Sequence, residues 1–250
     1  MPRYKLTIQY LGKNYSGSQK QLKDKTIQNE LEKAISTLTK QNISTIFSGR
    51  TDKGVNALAQ VIHFDYEGEI PKYNLNSLLP SDIRVSKIEK VKKPFHSQMS
   101  AKYRHYQYKI RNNDTENVFD NCTLYYRYPL DIKRINKSLS YLIGEHDFSA
   151  FKSSSDNPAR VCTIYRAEAK RKKDLITIDI IGNRFLYNMV RTIVGTLFLI
   201  EKNDFEPGKM KEILDSKDRT LAGPTISPEG LTLIKVGYDK KYENKIRKAK

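Results

Sequence analysis

Residues 47–66 read FSGRTDKGVNALAQVIHFDY, a glycine-containing loop followed by the strand-like run AQVIHFDY. In the loop, Asp52 follows Arg50 by two residues and lies between Gly49 and Gly54. Glycine lets the backbone approach a ligand closely or adopt positive φ, and loops held by a scaffold often bear catalytic side chains. Asp52 is therefore a candidate catalytic carboxylate. The alternative is a tight turn in which Asp52 bonds its own backbone. A phosphate loop is excluded, because neither glycine precedes a Lys-Ser/Thr pair.

The segments before this loop predict a strand and a helix. Residues 4–10 alternate apolar and polar side chains, which is typical of a half-buried strand. Residues 26–40 (TIQNELEKAISTLTK) have apolar side chains at helical spacing, and Thr26 is a candidate N-cap. The opening of the chain thus combines both kinds of element.

After the loop, strand and helix patterns are mixed without strict alternation, which predicts an α+β fold. The patterned segments are strands at 102–110, 175–181 and 230–238 and helices at 131–144 and 186–202. Asp131 is the candidate N-cap of the first helix, and Gly144 is the residue expected to close it. Charge, a proline and small polar residues cluster at 92–100. We expect two mixed domains, 1–98 and 99–240, with antiparallel or mixed sheets flanked by helices, and a basic tail at 241–250.

The charge of the chain indicates its class of partner. Lys and Arg number 45 against 28 Asp and Glu, which gives a formal net charge of +17 at pH 7. Such an excess favours a polyanionic partner such as nucleic acid and accelerates encounter with it. The alternative is a basic protein whose lysines are simply solvated.

Cysteine and histidine usage argues against a metal site. Cys122 and Cys162 lie far apart and outside any CxxC spacing, so neither a disulfide framework nor a zinc site is expected. The histidines show no metal-binding spacing. No apolar run reaches the roughly 18 residues of a spanning helix, and the N-terminus lacks a signal-peptide core. We expect a reduced, cytoplasmic compartment.

Arg191 is the second candidate residue, because it lies within the apolar run LYNMVRTIVG. An unpaired buried charge is costly, so Arg191 needs a partner unless its guanidinium reaches the surface along its own stem. A carboxylate partner would have its pKa lowered by about 1–3 and would stay ionised at neutral pH. A nucleophilic carboxylate requires that state.

The third signal is the strand at 102–110, in which cations and aromatic rings interleave. By alternation, Tyr106 and Tyr108 share a face with Arg104, while Tyr103 and His105 point the other way. Rings can stack on bases for about 1–3 kcal/mol each. The alternative is a tyrosine-rich strand that packs on a helix.

Five segments in order resemble the bacterial tRNA pseudouridine synthase A family (the TruA type). The loop GRTDKGV resembles the signature that holds this family's catalytic aspartate. The similarity is colinear from about Tyr4 to Tyr238. Its segments are FSGRTDKGVNALAQVIHF, FHSQMSAKYRHYQYKI, GEHDFSAF, GNRFLYNMVRTIVGTL and DRTLAGPTISPEGLTLIKVGY.

The resemblance implies a pseudouridine synthase fold with an active-site cleft between two domains. It also implies isomerisation of uridine to pseudouridine at positions 38, 39 or 40 of the anticodon stem-loop of tRNA, without metal or cofactor, by a homodimer. Asp52 would be the nucleophile, acting by covalent or ion-stabilising chemistry. Arg191 would pair with Asp52, and Tyr106 would stack against the target uracil. Arg50 would contact phosphate or fill the gap left by the extruded base.

Some positions depart from the family pattern. Tyr-Asp-Gly…Gly-Trp-Gln becomes Tyr10-Leu11-Gly12…Gly17-Ser18-Gln19, the histidine after Gly-Val is Asn56, and Lys53 stands where a small residue is common. These departures concern RNA contacts and site selection. One alternative reading is a catalytically inactive RNA-binding paralogue of the same fold. Another is a hydrolase that uses Asp52 with His63 as an acid–base pair.

Overall fold

The computed structural model describes residues 1–117, 119–154 and 158–242. Its strands and helices form an α+β protein, as expected, and its contacts divide the chain into two compact units. The first unit comprises Met1–Lys102 and Thr232–Asp239, and the second comprises Tyr103–Leu231 with the described residues from Lys240. The first unit continues to Lys102, beyond the expected boundary at 98/99. It also contains most of the closing strand, which was expected in the second domain. Of the expected basic tail, residues 243–250 lie outside the described residues.

The first unit is built on a mixed sheet. Its elements are β1 (Arg3–Tyr10), α1 (Ile27–Thr39), β2 (Ile46–Phe47), β3 (Asn56–Asp65), α2 (Lys72–Leu78), β4 (Ile83–Val91) and most of β10 (Leu231–Gly237). β1 lies between β3 and β4 and is antiparallel to both. β10 runs parallel to β3, with Thr232 opposite Asn56. This long-range pairing is why the last strand belongs to the first unit.

The local expectations for the start of the chain are confirmed. In β1, burial alternates, with Tyr4, Leu6, Ile8 and Tyr10 all buried. α1 begins directly after Thr26, whose hydroxyl oxygen accepts a hydrogen bond from the Asn29 amide at 3.2 Å. That bond satisfies one of the amides left without a partner at a helix N-terminus.

The strands of the second unit follow the order β5–β9–β8–β7, and neighbouring strands are antiparallel. Short β6 pairs in parallel with the end of β5. The elements are β5 (Tyr103–Arg111), β6 (Leu124–Tyr125), α3 (Ile132–Ser140), β7 (Gly144–Asp147), β8 (Val161–Lys172), β9 (Leu175–Gly182), α4 (Met189–Lys202) and α5 (Lys209–Ser216).

Two expected helix limits in this unit are corrected. Asp131 caps α3 as expected, accepting from the Lys133 amide at 2.7 Å, but α3 ends at Ser140. Gly144, with φ of +119°, instead begins β7. The apolar helix begins at Met189 rather than at residue 186, because Asn188 takes a left-handed conformation with φ of 61°. Asparagine tolerates that conformation better than most residues. Among the described residues, no helix combines the length and apolarity needed to cross a membrane.

His63 on β3 is a buried histidine held in its neutral form. Its Nδ1 accepts from the Ser97 amide at 3.1 Å, and its ring packs edge-on against His96. Burial, followed by the nearby charges of Arg3 and His96, lowers the pKa of His63 to about 4. His63 lies seven residue steps after Asn56 along β3, roughly 23 Å of extended strand. His63 is therefore not placed to act with Asp52, and the hydrolase interpretation loses its base.

We predict that His63 makes the free energy of unfolding depend on pH. Between pH 6.5 and about 4 the unfolded chain binds a proton at this histidine and the folded chain does not. Stability is therefore fully present above pH 6.5 and falls as pH drops, with a limiting slope of about 1.4 kcal/mol per pH unit. Urea denaturation at pH 6.5 and pH 5 measures this. His63→Gln should flatten the slope and His146→Gln should leave it; equal slopes in both variants would contradict the assignment.

Candidate functional site

Asp52 lies in the loop that joins β2 to β3. It is half-buried and begins a turn in which the Val55 amide donates to the Asp52 carbonyl at 3.1 Å. Gly54 takes φ of +80° within this turn, a conformation that glycine adopts without strain. The backbone therefore forms the tight turn that the sequence offered as an alternative, and the hydrogen bond that closes this turn joins two backbone groups. Such a turn and a catalytic role for Asp52 are compatible.

Gln60 on β3 holds the first half of this loop. Its side-chain amide donates to the Gly49 carbonyl at 2.9 Å, and its carbonyl oxygen accepts from the Ser48 hydroxyl at 2.5 Å. Ser48 and Gln60 are both buried. Buried amide and hydroxyl groups bonded in this way fix a loop, because breaking any one bond leaves a desolvated polar group. The sequence analysis missed Gln60, since glutamine within a strand has no distinctive spacing.

Arg50 and Lys53 flank Asp52 and are both exposed. Their side chains add positive charge on either side of the carboxylate-bearing residue. Exposed cations of this kind can reach phosphate groups, which supply most of the affinity for nucleic acid. The exposed position of Arg50 is compatible with a phosphate contact.

Arg191 lies in the first turn of α4, in the second unit, and is half-buried. Its Nε donates to the Ile226 carbonyl at 2.6 Å, and a terminal nitrogen donates to the Asn188 side-chain oxygen at 2.8 Å. Asn188 in turn donates to the Ser153 hydroxyl at 3.0 Å. The guanidinium is therefore oriented by two neutral oxygens. Its pairing with Asp52 stays a prediction.

The loop before β10 supplies one of these oxygens. Ile226 belongs to the segment AGPTIS, and this segment is bound to α4 through the Gly223 amide, which donates to the Thr196 hydroxyl at 2.9 Å. Thr192 and Thr225 also meet through their hydroxyls at 3.2 Å. Two segments singled out in the sequence, around Arg191 and around 218–238, thus meet at one place.

Tyr106 lies on β5 with its ring half-buried. The ring meets Phe185 edge-to-face, with 5.0 Å between centroids and 79° between planes. Phe185 belongs to the segment that leads into α4. Tyr108, two residues along the same face of β5, is fully buried; burial raises the pKa of its phenol, and the Arg191 guanidinium acts in the opposite direction. Tyr106 thus contacts the segment that leads into α4, the helix that contains Arg191.

On the other face of β5, buried Tyr103 is followed by polar side chains. His105 Nε2 lies 2.6 Å from Asp179 Oδ1, and the Gln107 amide donates to the same oxygen at 3.0 Å. Although burial opposes ionisation, these two hydrogen bonds keep the pKa of Asp179 below its usual value. The expected division of the strand into two faces is therefore present, with Tyr106 and Tyr108 on the packed face. Among the described residues, no group of His, Cys, Asp and Glu could hold a metal ion.

Comparison with known proteins identifies relatives along nearly the whole chain. The family described as tRNA pseudouridine synthase matches residues 6–104 and 139–239. A tRNA pseudouridine synthase A of Thermoanaerobacter sp. (strain X514) is 43% identical over 239 residues, covering 93% of this chain and 98% of that protein. The protein of that name from Bacillus licheniformis is 41% identical over 245 residues, covering 95% of this chain and 99% of its own length.

More distant similarity extends the comparison. The tRNA pseudouridine synthase A of Colwellia psychrerythraea is 38% identical over 247 residues, covering 96% of this chain and 95% of that protein. A chain from the crystal structure of a Cbf5-Nop10-Gar1 complex superimposes with a TM-score of 0.44 at 10% identity. That superposition covers 92% of this chain and 49% of the other.

We predict that Arg191→Ala lowers the free energy of unfolding by about 1.5–3 kcal/mol, the usual value of hydrogen bonds to a charged group. Arg191→Lys should recover little of this, because one ammonium cannot reproduce the two directed donors of the guanidinium. Urea denaturation measures both variants. Arg166→Ala, which removes a surface ion pair with Glu168 in the same unit, is the control and should cost less than about 1 kcal/mol. Equal losses for Arg191→Ala and the control would mean that the hydrogen bonds of Arg191 to Ile226 and Asn188 do not stabilise the fold.

Proposed function

The chain belongs to the tRNA pseudouridine synthase A family and has the pseudouridine synthase fold, and from that premise we propose that it isomerises uridine to pseudouridine in tRNA. We further propose that its targets are positions 38, 39 and 40 of the anticodon stem-loop. The observation on which the proposal rests is similarity along almost the full length of both chains, with the GRTDKGV loop retained.

The reaction is an isomerisation, so atoms and electrons balance within the substrate. The bond from the sugar C1′ to uracil N1 breaks, the base turns, and C1′ bonds to C5 instead. The hydrogen on C5 leaves as a proton, and N1 gains a proton. Because nothing is oxidised or reduced and no group is added, the protein must supply an anionic group, a binding site for the base and a route for the proton.

Asp52 is the proposed anionic group. Its carboxylate acts as nucleophile or as the stabilising anion for the electron-poor centre formed when the bond to N1 breaks. Arg191 is proposed to pair with this carboxylate, which keeps it charged and oriented. Two features support these roles: the bonds to Gly49 and Ser48 that fix the loop before Asp52, and the two bonds that orient Arg191 within its own unit.

Tyr106 is proposed to stack on the target uracil. An enzyme that rearranges a base has to extrude it, at a cost of a few kcal/mol that is smallest in loops and at stem ends. An aromatic ring returns part of this cost by stacking. The edge-to-face contact between Tyr106 and Phe185 fixes the orientation of the Tyr106 ring, which supports this role. Arg50 is proposed to contact phosphate or to fill the gap that the extruded base leaves.

The substrate is a polyanion, which agrees with the net charge of +17. Lysine and arginine contacts to phosphate supply affinity that falls steeply with salt, and RNA is recognised mainly through its shape and its unpaired bases. On the same resemblance we propose a homodimer that acts in the cytoplasm. A catalytically inactive RNA-binding paralogue is the alternative, and the first experiment below distinguishes it.

We predict that Asp52→Asn abolishes pseudouridine formation while tRNA binding stays within a factor of a few. The reason is that the amide keeps the size of the side chain and loses its charge. The measurement is tritium release from C5 of labelled uridine in a tRNA transcript, with filter binding in parallel. Asp24→Asn, an exposed aspartate in the loop after β1, is the control and should stay active.

The same assay tests the target positions. Replacing uridines 38, 39 and 40 of the transcript by cytidine should remove the release, and persistent release would mean other targets. Turnover by Asp52→Asn equal to that of the parent would remove Asp52 from the chemistry. If the parent binds tRNA and turns over no transcript carrying these uridines, the inactive paralogue is the correct alternative.

We predict that Tyr106→Leu lowers kcat/KM for tRNA about tenfold, whereas Tyr106→Phe retains most of it. Stacking on a base is worth about 1–3 kcal/mol, and phenylalanine keeps the ring. Single-turnover rates over a range of enzyme concentration measure the effect, and melting temperatures show whether loss of the Phe185 contact contributes. Tyr73→Leu, at an exposed tyrosine of α2, is the control. Equal rates for Tyr106→Leu and Tyr106→Phe would exclude stacking.

A further inference from the structure

We propose that Ser18 and Tyr10 are positioning residues, which hold Thr51 and thereby place Asp52. This inference rests on the proposed catalytic role of Asp52. The family pattern has tryptophan where this chain has Ser18, so the hydroxyl contact described below belongs to this chain's own sequence. Neither residue is proposed to touch the substrate.

Thr51, the residue directly before Asp52, is bonded at three points. Its backbone amide donates to the Ser18 hydroxyl oxygen at 2.8 Å, and its carbonyl accepts from the Ser18 amide at 3.0 Å. Its own hydroxyl lies 2.7 Å from the Tyr10 hydroxyl. Every polar group of Thr51 is therefore bound by one of two residues. Because consecutive Cα atoms are fixed 3.8 Å apart, fixing Thr51 confines Asp52.

The contact is shut off from water. Ser18 is fully buried, and Tyr10 and Thr51 are 4% and 5% exposed. Burial raises the pKa of Tyr10 to about 12, against the opposing hydrogen bonds of Thr51, Gln60 and Ser18. The phenol thus keeps its proton at physiological pH. Losing either side-chain oxygen would leave a buried group of Thr51 without that partner, and no water could replace it at low cost.

The two holding residues are attached to regular elements. Tyr10 is the last residue of β1. The Ser18 carbonyl accepts from the Gln28 amide at 3.0 Å, in the first turn of α1, and the Gly17 carbonyl accepts from the Ile27 amide at 3.3 Å. Thr51 is therefore bound to the end of a strand and the beginning of a helix. Functional groups are placed most accurately when rigid elements support them.

Gly17 permits this close approach. It has φ of +100°, and a Cβ there would lie 2.9 Å from the Thr51 carbonyl oxygen and 3.5 Å from the Asp52 carbonyl carbon. A second departure from the family pattern lies at the same contact: the Asn56 side-chain oxygen accepts from the Gly12 amide at 2.9 Å. Bonds from residues 10–18 thus reach the loop both before and after Asp52.

The experiment compares variants that remove the same group, a tyrosine or a serine hydroxyl, at different places in the first unit. Tyr10→Phe and Ser18→Ala each remove one hydroxyl that is bonded to Thr51. Tyr4→Phe is the matched control for the first, because Tyr4 lies on the same face of β1, is 2% exposed and donates to the Gly68 carbonyl at 2.6 Å. Ser97→Ala is the matched control for the second, because Ser97 is a fully buried serine of the same unit whose hydroxyl donates to the Ile46 carbonyl at 2.7 Å.

We predict that Tyr10→Phe and Ser18→Ala lower the single-turnover rate about tenfold at saturating tRNA, with KM changed less than about twofold. This lies within the scale on which a 1 Å misplacement costs about 100-fold. The controls should lose similar melting temperature and keep the rate. Hydrogen exchange at the Thr51 amide should accelerate in Ser18→Ala and stay unchanged in Ser97→Ala, a readout independent of turnover.

The outcomes separate this inference from the proposed function. If Asp52→Asn is inactive but the Thr51-contact variants turn over like their controls, the positioning role is wrong and the function stands. If the Thr51-contact variants and the controls lose rate in the same proportion to their loss of stability, the role of Ser18 and Tyr10 is only structural. The inference is then wrong as well. If Asp52→Asn turns over normally, the proposed function itself fails, whatever Ser18 and Tyr10 do.

Discussion

The antiparallel pairing of β1 with β3 is the constraint on which the first unit depends. Its register shifts between Ile8, which faces Gln60, and Tyr10, which faces Ala57, so three residue steps on β3 oppose two on β1. A bulge of this kind bends a strand and redirects its side chains. Here it brings the Tyr10 end of β1 beside the loop that precedes β3, where Thr51 bonds to it. The position of Asp52 is thus set by strand pairing as much as by the loop itself.

The sequence predicted those strands and helices that are determined by residues close together in the chain. The alternation at 4–10, the Thr26 cap and the Asp131 cap were each sufficient to locate an element, and all three are present. Sequence patterns did not predict α2, β4, β8 or α5. In VCTIYRAEAKRK burial alternates at first, but the segment ends in charge, and α5 is short. Gly144 was misread because a glycine after a helical pattern is usually a C-cap, whereas here it begins a strand. Parallel pairing of β10 with β3 could not be read at all, since it joins residues about 175 positions apart.

For the candidate site, sequence identified the reactive types but not the groups that hold them. Asp52, Tyr106 and Arg191 stand out because a carboxylate between glycines, a ring among cations and a cation in an apolar run are each unusual. Gln60, Asn188 and Ser18 are ordinary polar residues, and only coordinates show that Gln60 bonds Gly49, that Asn188 bonds Arg191 and that Ser18 bonds Thr51. The burial of Arg191 predicted a partner for its guanidinium, and within its own unit a backbone carbonyl and an amide oxygen supply one.

Two departures from the family pattern, Ser18 and Asn56, make hydrogen bonds that fix the backbone near Asp52. Ser18 stands where the family pattern has tryptophan and Asn56 where it has histidine, and each accepts a hydrogen bond from a backbone amide. A buried hydrogen bond of this kind is directional, so it can fix a loop with a small side chain. A substitution at such a position is therefore compatible with the proposed reaction, provided that the replacement still fixes the residue beside Asp52. In this chain the loop that bears Asp52 is held by hydrogen bonds to β1, to β3 and to the segment before α1, and the two departures supply part of those bonds.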